Sequence, residues 1–395
     1  MGKVRKNPMI VLNLAKFLPF QNRKINDIII RNSLDVENLT NKKVQFRYLT
    51  ILPYSNWLLG KLRDDWNRYY RFPKNYLFEN KIEIHMIRKI YFPGNRLNFF
   101  TTCFSFLGNV LFLKKMIKDI NVVHAHNLMP EGLIAFLMKK IFKTPYVLSL
   151  RRDTIDYVDK GNPFQRKIVK SILGNAKENI CLNYHIKENV EREFGIKPIV
   201  IPHSIDSKEI FKDYELNSPL RLLTASHIRE EKRIDLILKA LGQLNKEGYK
   251  DQYEYIIVGR ENKNIDLRKF AEDMGVEAEF RGELTHQETL EEMEKSDIFI
   301  LPSVFESFGR VYVEAMAKSN ATIAVKDTGV WGVFENKKEI IYADKNCYQS
   351  LYQNIKFLFD NTAQISLLKE NGVRAIESKC LKEKNIPRYI QVYLS

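Results

Sequence analysis

The sequence predicts an α/β protein built from two parallel-sheet domains, and three observations carry that prediction. Short apolar strands alternate with helical stretches along most of the chain, the rhythm of βαβ units rather than of hairpins. At 395 residues the chain is too long for one ordinary core. Its charge is also divided: residues 1–200 carry 35 Lys+Arg against 16 Asp+Glu, and residues 201–395 carry 28 against 32. A half at +19 joined to a half at −4 suggests two domains with different partners.

Short apolar runs read as buried strands, and longer stretches with apolar positions three and four residues apart read as helices. On that basis residues 9–15 form the first strand and 25–39 a helix. Strand 121–125, helix 130–142, strand 145–150, helix 163–173, strand 179–182, helix 185–194 and strand 198–201 follow. A polar stretch at 203–219 marks the boundary. The second half has strands at 221–225, 253–258, 277–280, 298–301 and 322–325, and helices at 233–246, 265–274, 287–295, 309–318, 348–360 and 363–377. Residues 40–100 are aromatic and basic, with Trp57, Trp66, Tyr69, Tyr70 and Tyr76, and show few clear periods. In sheets of this kind ligands bind outside the carboxyl ends of the strands, so two facing domains would join two substrates in the cleft between them.

Several function classes are disfavoured. The four cysteines form no C-x-x-C pair, no His/Cys cluster has zinc spacing, and free thiols suit a reducing cytoplasm. Met1–Lys6 is basic, but the apolar run after it is short and reads as a strand, not a secretory signal. The longest uncharged run, residues 97–113, contains Asn98, Thr101, Thr102, Ser105, Gly108 and Asn109. It reads as a buried or interfacial helix rather than a membrane span. No G-x-G-x-x-G follows the first strand, which disfavours a dinucleotide-dependent oxidoreductase. The basic half could meet nucleic acid or an anionic membrane, but no helix-turn-helix or RNA-binding sequence is present, so no nucleic-acid partner is expected.

The chemistry-bearing run is FILPSVFESFGRVYVEAMAK, residues 299–318. An apolar strand ends at Leu301–Pro302, a polar turn holds Glu306, Ser307, Phe308 and Gly309, and a helix follows. Such a turn offers free N–H groups and the positive end of a helix dipole, a site for phosphate or diphosphate. Gly309 allows close backbone approach. Glu306 and Glu314, eight residues apart, can each accept hydrogen bonds from vicinal sugar hydroxyls. Taken alone, a helix-start charge and a solvated face remain open for them.

This run resembles the E-x7-E motif of the retaining glycosyltransferases of family 4, which have the GT-B fold of two Rossmann-like parallel-sheet domains facing a cleft. The resemblance implies that Glu306 lies by the donor sugar as a catalytic residue and that Glu314 holds the nucleotide ribose. It places Ser307, Phe308 and Gly309 at the sugar–diphosphate end. SHIREEKRIDLILKAL (226–241) looks like the segment GRLxxEKGxDxLIxAL, so Lys232 falls on the diphosphate-binding lysine. His227 stands where the family has arginine, and Arg233 where it has glycine. IIVGRENKN (256–264) keeps Gly259 of a VGxGPLR turn, and FRGELTHQETLEEMEKSDIFILPS (280–303) places the backbone near Leu284 at the nucleobase. TGVWGVFE (328–335) stands for GGIPE and keeps Gly329.

The first half matches less tightly. DINVVHAHNLMPEGLIAF (119–136) looks like the DVVHAHxxxxG segment, which implies that His126 lies beside the reacting sugar, with His124 structural. VIPHSID (200–206) looks like the family's domain junction. Arg151 and Arg152 follow the next strand, where the family often has a basic residue; an acceptor or phosphate contact and a plain surface role both stay open. The family's glycine-rich loop is missing from FLPFQNRKIN (17–26), where Lys16, Arg23 or Lys24 could face an anionic acceptor.

The resemblance implies an acceptor-binding domain over 1–205, a donor-binding domain over 206–378, and a helix over 379–395 crossing back to the first domain. It implies transfer of a hexose-type sugar from a nucleotide-sugar donor to a glycan or lipid-linked acceptor in cell-surface polysaccharide assembly (capsule, exopolysaccharide or lipopolysaccharide). A cytoplasmic protein at the inner face of the membrane, in peripheral contact with anionic lipid, is expected. No metal or cofactor is expected, since Lys232 and the helix start supply positive charge. A sugar-nucleotide epimerase or a phosphorylase on a similar fold is the alternative, and a basic nucleic-acid-binding protein a weaker one.

Overall fold

The computed structural model describes residues 8–16, 18–19, 27–54, 75–79, 81–90, 98–152, 154, 161–260, 262 and 265–395. Among them the chain divides into two compact units. The first comprises residues 1–181, 186–200 and 386–395; the second comprises 182–185 and 201–385. The expected boundary at 205/206 thus lies at 200/201, because Ile205 already pairs with Leu381 inside the second unit. Residues 182–185 belong to that unit as well.

The first unit is built on an eight-stranded sheet in the order β3-β4-β2-β1-β5-β6-β7-β8. The strands are β1 (Met9–Lys16), β2 (Val44–Pro53), β3 (Asn75–Phe78), β4 (Ile82–Lys89), β5 (Val122–Ala125), β6 (Tyr146–Leu150), β7 (Glu178–Cys181) and β8 (Ile199–Val200). All pairings are parallel except β3 on β4. Parallel strands buried on both faces read as continuous apolar runs, and β5 is buried at every position. Strands β2 to β4 fall in the region the sequence left unread: β2 begins with a mixed segment, Val44–Arg47, and β3 has only four residues.

The helices of this unit are α1 (Asp27–Leu39), α2 (Asn98–Gly108), α3 (Val110–Met116), α4 (Leu133–Phe142), α5 (Pro163–Asn175) and α6 (Tyr184–Phe194), although Tyr184 and His185 group with the second unit. Helix α5 starts with a capping box at Asn162 and Gln165 and has proline in its first turn, which satisfies orphan amide groups. The helix expected at 130–142 begins only at Leu133. A π-type turn, Leu128–Gly132, precedes it, with Met129 in extended geometry. The tail of the C-terminal helix Lys382–Leu394 belongs to this unit, where the Tyr393 hydroxyl meets His124 Nδ1 at 2.8 Å.

The second unit carries a six-stranded, all-parallel sheet in the order β11-β10-β9-β12-β13-β14. These are β9 (Leu220–Ala225), β10 (Tyr253–Val258), β11 (Ala278–Gly282), β12 (Ile298–Ile300), β13 (Ala321–Val325) and β14 (Ile341–Ala343). The covering helices are α7 (Ile234–Lys246), α8 (Leu267–Met274), α9 (His286–Glu294), α10 (Arg310–Ala317), α11 (Tyr348–Asp360) and α12 (Thr362–Lys379). Two apolar clusters fill the faces, one around Leu222, Ile237 and Ile355, the other around Phe299, Tyr312 and Met316.

The strand order reverses direction between β1 and β5 in the first unit and between β9 and β12 in the second. Those are the topological switch points, where loops part at the carboxyl edge and a ligand can enter.

Candidate active site

At the switch point of the second unit the loops after β9 and β12 are tied together. The Val304 amide donates to the Glu231 carbonyl at 2.9 Å. That link sets Lys232 beside Glu306, and Lys232 Nζ donates to Glu306 Oε1 at 2.5 Å. Each side chain keeps 16% of its surface accessible, so the pair is shielded yet reachable. The two residues assigned to diphosphate and sugar are 74 positions apart in sequence and in direct contact in space.

The turn holding Glu306 is fixed from two sides. Its amide donates to the Thr328 hydroxyl at 3.0 Å, from the loop after β13. The buried Asn183 amide donates to the carbonyls of Ser307 at 2.9 Å and Gly329 at 2.5 Å. With its carbonyls engaged by Asn183, this turn is a rigid shelf. Gly309 then opens α10 at φ +77°, where a Cβ would lie 2.4 Å from the Tyr312 ring. Only glycine fits that corner. Tyr312 in turn donates to the Leu301 carbonyl at 2.8 Å, which pins α10 against the end of β12.

Glu314 lies one turn inside α10 and is buried. Arg310 Nε approaches its Oε1 at 2.9 Å and His286 Nε2 at 3.9 Å. Burial pushes the Glu314 carboxyl above the usual range, while Arg310 and His286 pull it back. Sequence reasoning missed these two partners, and also Asn183 and Thr328, because none belongs to the motif that drew attention to the turn.

The remaining predicted residues are distributed as follows. Gly259 follows β10 at φ +149°, and a Cβ there would fall 1.7 Å from the Ser226 carbonyl oxygen. It allows the β10 turn to lie against the β9 turn that leads to Lys232. His227, in that turn, is exposed. Arg233, at the family's glycine position, keeps the left-handed conformation at φ +52° and is held by Asp235 through two 3.0 Å contacts. Leu284 is half-buried at the start of the loop after β11. Phe308 was placed at the sugar end, but its side chain is buried in the core against His203, with ring centres 5.2 Å apart. Only its backbone faces the turn's chemistry.

In the first unit, Lys16 ends β1, His126 follows β5, and Arg151 and Arg152 follow β6. Arg23 and Lys24 lie outside the described residues. His126 Nε2 lies 2.8 Å from Asn13 Oδ1. Asn13 Nδ2 donates to Ser33 Oγ, which donates to the Ile29 carbonyl, so Asn13 Oδ1 is the acceptor and His126 Nε2 carries the proton. His126 Nδ1 is left as an acceptor. Burial first, then the neighbouring His124 and Arg151, hold the His126 imidazole well below its usual range, so it is neutral. His124, its ring tilted by 32° with centres 4.0 Å apart, is held by Tyr393 and Ser149 and is pushed down to about 3, again mainly by burial.

Glu131 was not foreseen. It is fully buried, and its Oε1 accepts from the Lys16 amide at 2.8 Å and Asn127 Nδ2 at 3.2 Å. It thereby ties the end of β1 to the turn after β5. Among the described residues no group of three or more His, Cys, Asp or Glu is placed to hold a metal ion.

Two Rossmann-like units with these sheet orders define a GT-B protein, and solved structures of that class share the fold. Sucrose-phosphate synthase from Thermosynechococcus elongatus matches with a TM-score of 0.70 at 14% identity, covering 98% of both chains. Anabaena HepE, solved in complex with UDP, matches at 0.69 and 14%, over 97% of this chain and 99% of that one. The model for glycosyl transferases group 1 matches residues 206–374, and the model for glycosyltransferase family 4 matches residues 68–209. The chain belongs to this glycosyltransferase family. It is 23% identical to an uncharacterized glycosyltransferase of Methanocaldococcus jannaschii, across 91% of this chain and 93% of the relative. It is 27% identical to the O-antigen chain mannosyltransferase RfbU of Salmonella typhimurium, across 60% and 71%.

Proposed function

We propose that this protein is a retaining glycosyltransferase that moves a hexose-type sugar from a nucleotide-sugar donor to a glycan or lipid-linked acceptor in cell-surface polysaccharide assembly. The observation that carries the reading is the contact between Lys232 and Glu306 at the switch point, next to the start of α10. Support also comes from HepE, solved with UDP, and from RfbU, a mannosyltransferase of O-antigen chains.

In this reading the donor diphosphate lies at the start of α10, where amide groups and the helix dipole favour negative charge. Lys232 turns from Glu306 to the phosphate. Glu306, released, accepts a hydrogen bond from the sugar and stabilises positive charge as the anomeric carbon–oxygen bond lengthens. Glu314 accepts from the two ribose hydroxyls. The acceptor hydroxyl attacks the anomeric carbon on the face the diphosphate leaves, and its proton passes to the departing phosphate oxygen. Configuration is thereby retained without a protein base and without metal.

On the first unit, neutral His126 offers Nδ1 to a sugar hydroxyl, and Lys16 and Arg151 suit a phosphate-bearing acceptor. The reaction is assigned to the cytoplasmic side of the membrane, where nucleotide sugars are made. The test is a transfer assay with a panel of nucleotide sugars and lipid-linked acceptors, followed by the anomeric configuration of the product. Transfer with retention that Glu306→Ala abolishes without loss of fold is expected. Inversion, or epimerisation of donor without acceptor, would overturn the reading.

A further inference from the structure

Helix α2 is apolar on its outward side as well as on its inward side, where Phe106 packs in the core. Thr101, Thr102 and Ser105 point inward and are buried, and Ser105 Oγ donates to the Arg88 carbonyl at 2.6 Å. Outward face Phe100, Phe104 and Leu107, exposed by 49%, 69% and 60%. Leu111 on α3, exposed by 76%, continues the stripe, and Phe112 beside it is exposed by 38%. Spacings of four, three and four residues place the row on one side of the helix pair. Phe164, exposed by 53% at the start of α5, joins it through Phe99 and Phe100, with ring centres 5.6 and 6.5 Å apart. Apolar surface this continuous and this outward marks an interaction site.

The charge around it is one-sided. Between residues 98 and 152 the chain carries eight Lys or Arg against two acidic residues, one of which is the buried Glu131. Lys114, Lys115 and Lys118 follow the stripe and are exposed, as are Lys140 and Lys143 at the end of α4. A second copy of this chain would bring the same lysines against these. An anionic bilayer supplies what the surface lacks: hydrocarbon for the aromatic and leucine side chains, and phosphate for the lysines. No single helix among the described residues is long and apolar enough to cross a membrane, and the two halves of the run bend by 68° at Asn109. The bend suits an elbow lying in the interface rather than a span.

We infer that the α2–α3 elbow is a docking surface for an anionic lipid bilayer, with Phe104, Leu107 and Leu111 entering the acyl boundary and Lys114, Lys115 and Lys118 held at headgroup phosphates. This does not depend on the donor site. The test is flotation of the full chain with vesicles of phosphatidylcholine alone or with 30% phosphatidylglycerol, at low and at 0.5 M salt, with sedimentation equilibrium in parallel.

The native chain is expected to float with the anionic vesicles at least tenfold more than with neutral ones, and high salt should reduce this. Phe104→Ser with Leu111→Ser should weaken flotation at least tenfold. Lys114→Gln with Lys115→Gln should weaken it about fivefold per lysine. Nucleotide binding in solution should be unchanged in both. Absence of binding to anionic vesicles, or equal binding by the Phe104/Leu111 variant, would overturn the inference. So would a dimer in solution that this variant dissociates, since a second copy would then be the occupant.

Discussion

Lys232 and Glu306 should respond oppositely when the donor nucleotide binds. The Lys232 ammonium is engaged by Glu306 at 2.5 Å. A phosphate in contact with that ammonium would sit about 5 Å from the carboxylate. Repulsion there amounts to about 0.8 kcal/mol at the dielectric of water and about 3 kcal/mol at an effective dielectric near 20. Glu306→Gln removes the repulsion and frees the lysine, so the affinity for a nucleoside diphosphate should rise at least about fourfold. Lys232→Met removes the attraction and should weaken the same affinity about tenfold or more, since hydrogen bonds to charged groups contribute about 1.5–3 kcal/mol. Both variants should lose transfer by about 10²–10³-fold, the usual cost of removing one group that stabilises developing charge. Isothermal titration with UDP and GDP, beside a transfer assay, measures both quantities. If Glu306→Gln weakens nucleotide binding as Lys232→Met does, the reasoning fails, because the carboxylate would then be holding the lysine in place for the phosphates rather than repelling them.

Four further outcomes follow from the geometry. Asn183→Ala strands the Ser307 and Gly329 carbonyls, each at about 1–3 kcal/mol if it stays dry; the second unit should melt several degrees lower and the apparent KM for donor should rise. Gly259→Ala forces a Cβ to 1.7 Å from the Ser226 oxygen and should cost more than about 2 kcal/mol, read by thermal melting. The pH dependence has opposite signs in the two units. Glu314 is raised in the folded state, so its contribution is greatest at low pH and fades as pH rises from 4.5 through the shifted value; Glu314→Gln should flatten that trend. His124 is lowered to about 3, so the unfolded chain binds a proton first as pH falls below 6.5, and stability should be lost from there downward. His124→Asn should relieve part of that acid sensitivity in urea titrations at pH 4 and 7.

The strand–helix alternation was legible because parallel strands are buried on both faces and read as uninterrupted apolar runs; β10 and α11 fall where the pattern places them. The stretch 44–89 resisted reading for the opposite reason. Val44–Arg47 mixes polar and apolar residues, and β3 is stabilised by antiparallel pairing to β4 rather than by its own composition. At the site, the eight-residue spacing of Glu306 and Glu314 is a local signal and was visible. Contact between Lys232 and Glu306, 74 positions apart, is tertiary, set by two neighbouring strands, and no local pattern could report it. Asn183 left no trace because a single asparagine after a strand looks like any turn residue. Phe308 shows what a motif leaves open: position in it says where the backbone runs, whereas burial against His203 and the Tyr312 cluster decides where the ring goes.

Hydrogen exchange of the full chain, with and without a saturating nucleoside diphosphate, tests the donor site most directly. Protection concentrated in residues 226–234 and 306–314, the two loops joined by Val304 and Glu231 and the helix start beyond them, is the expected result. Nucleotide-dependent protection confined to the first unit, with both of those segments unchanged, would contradict it.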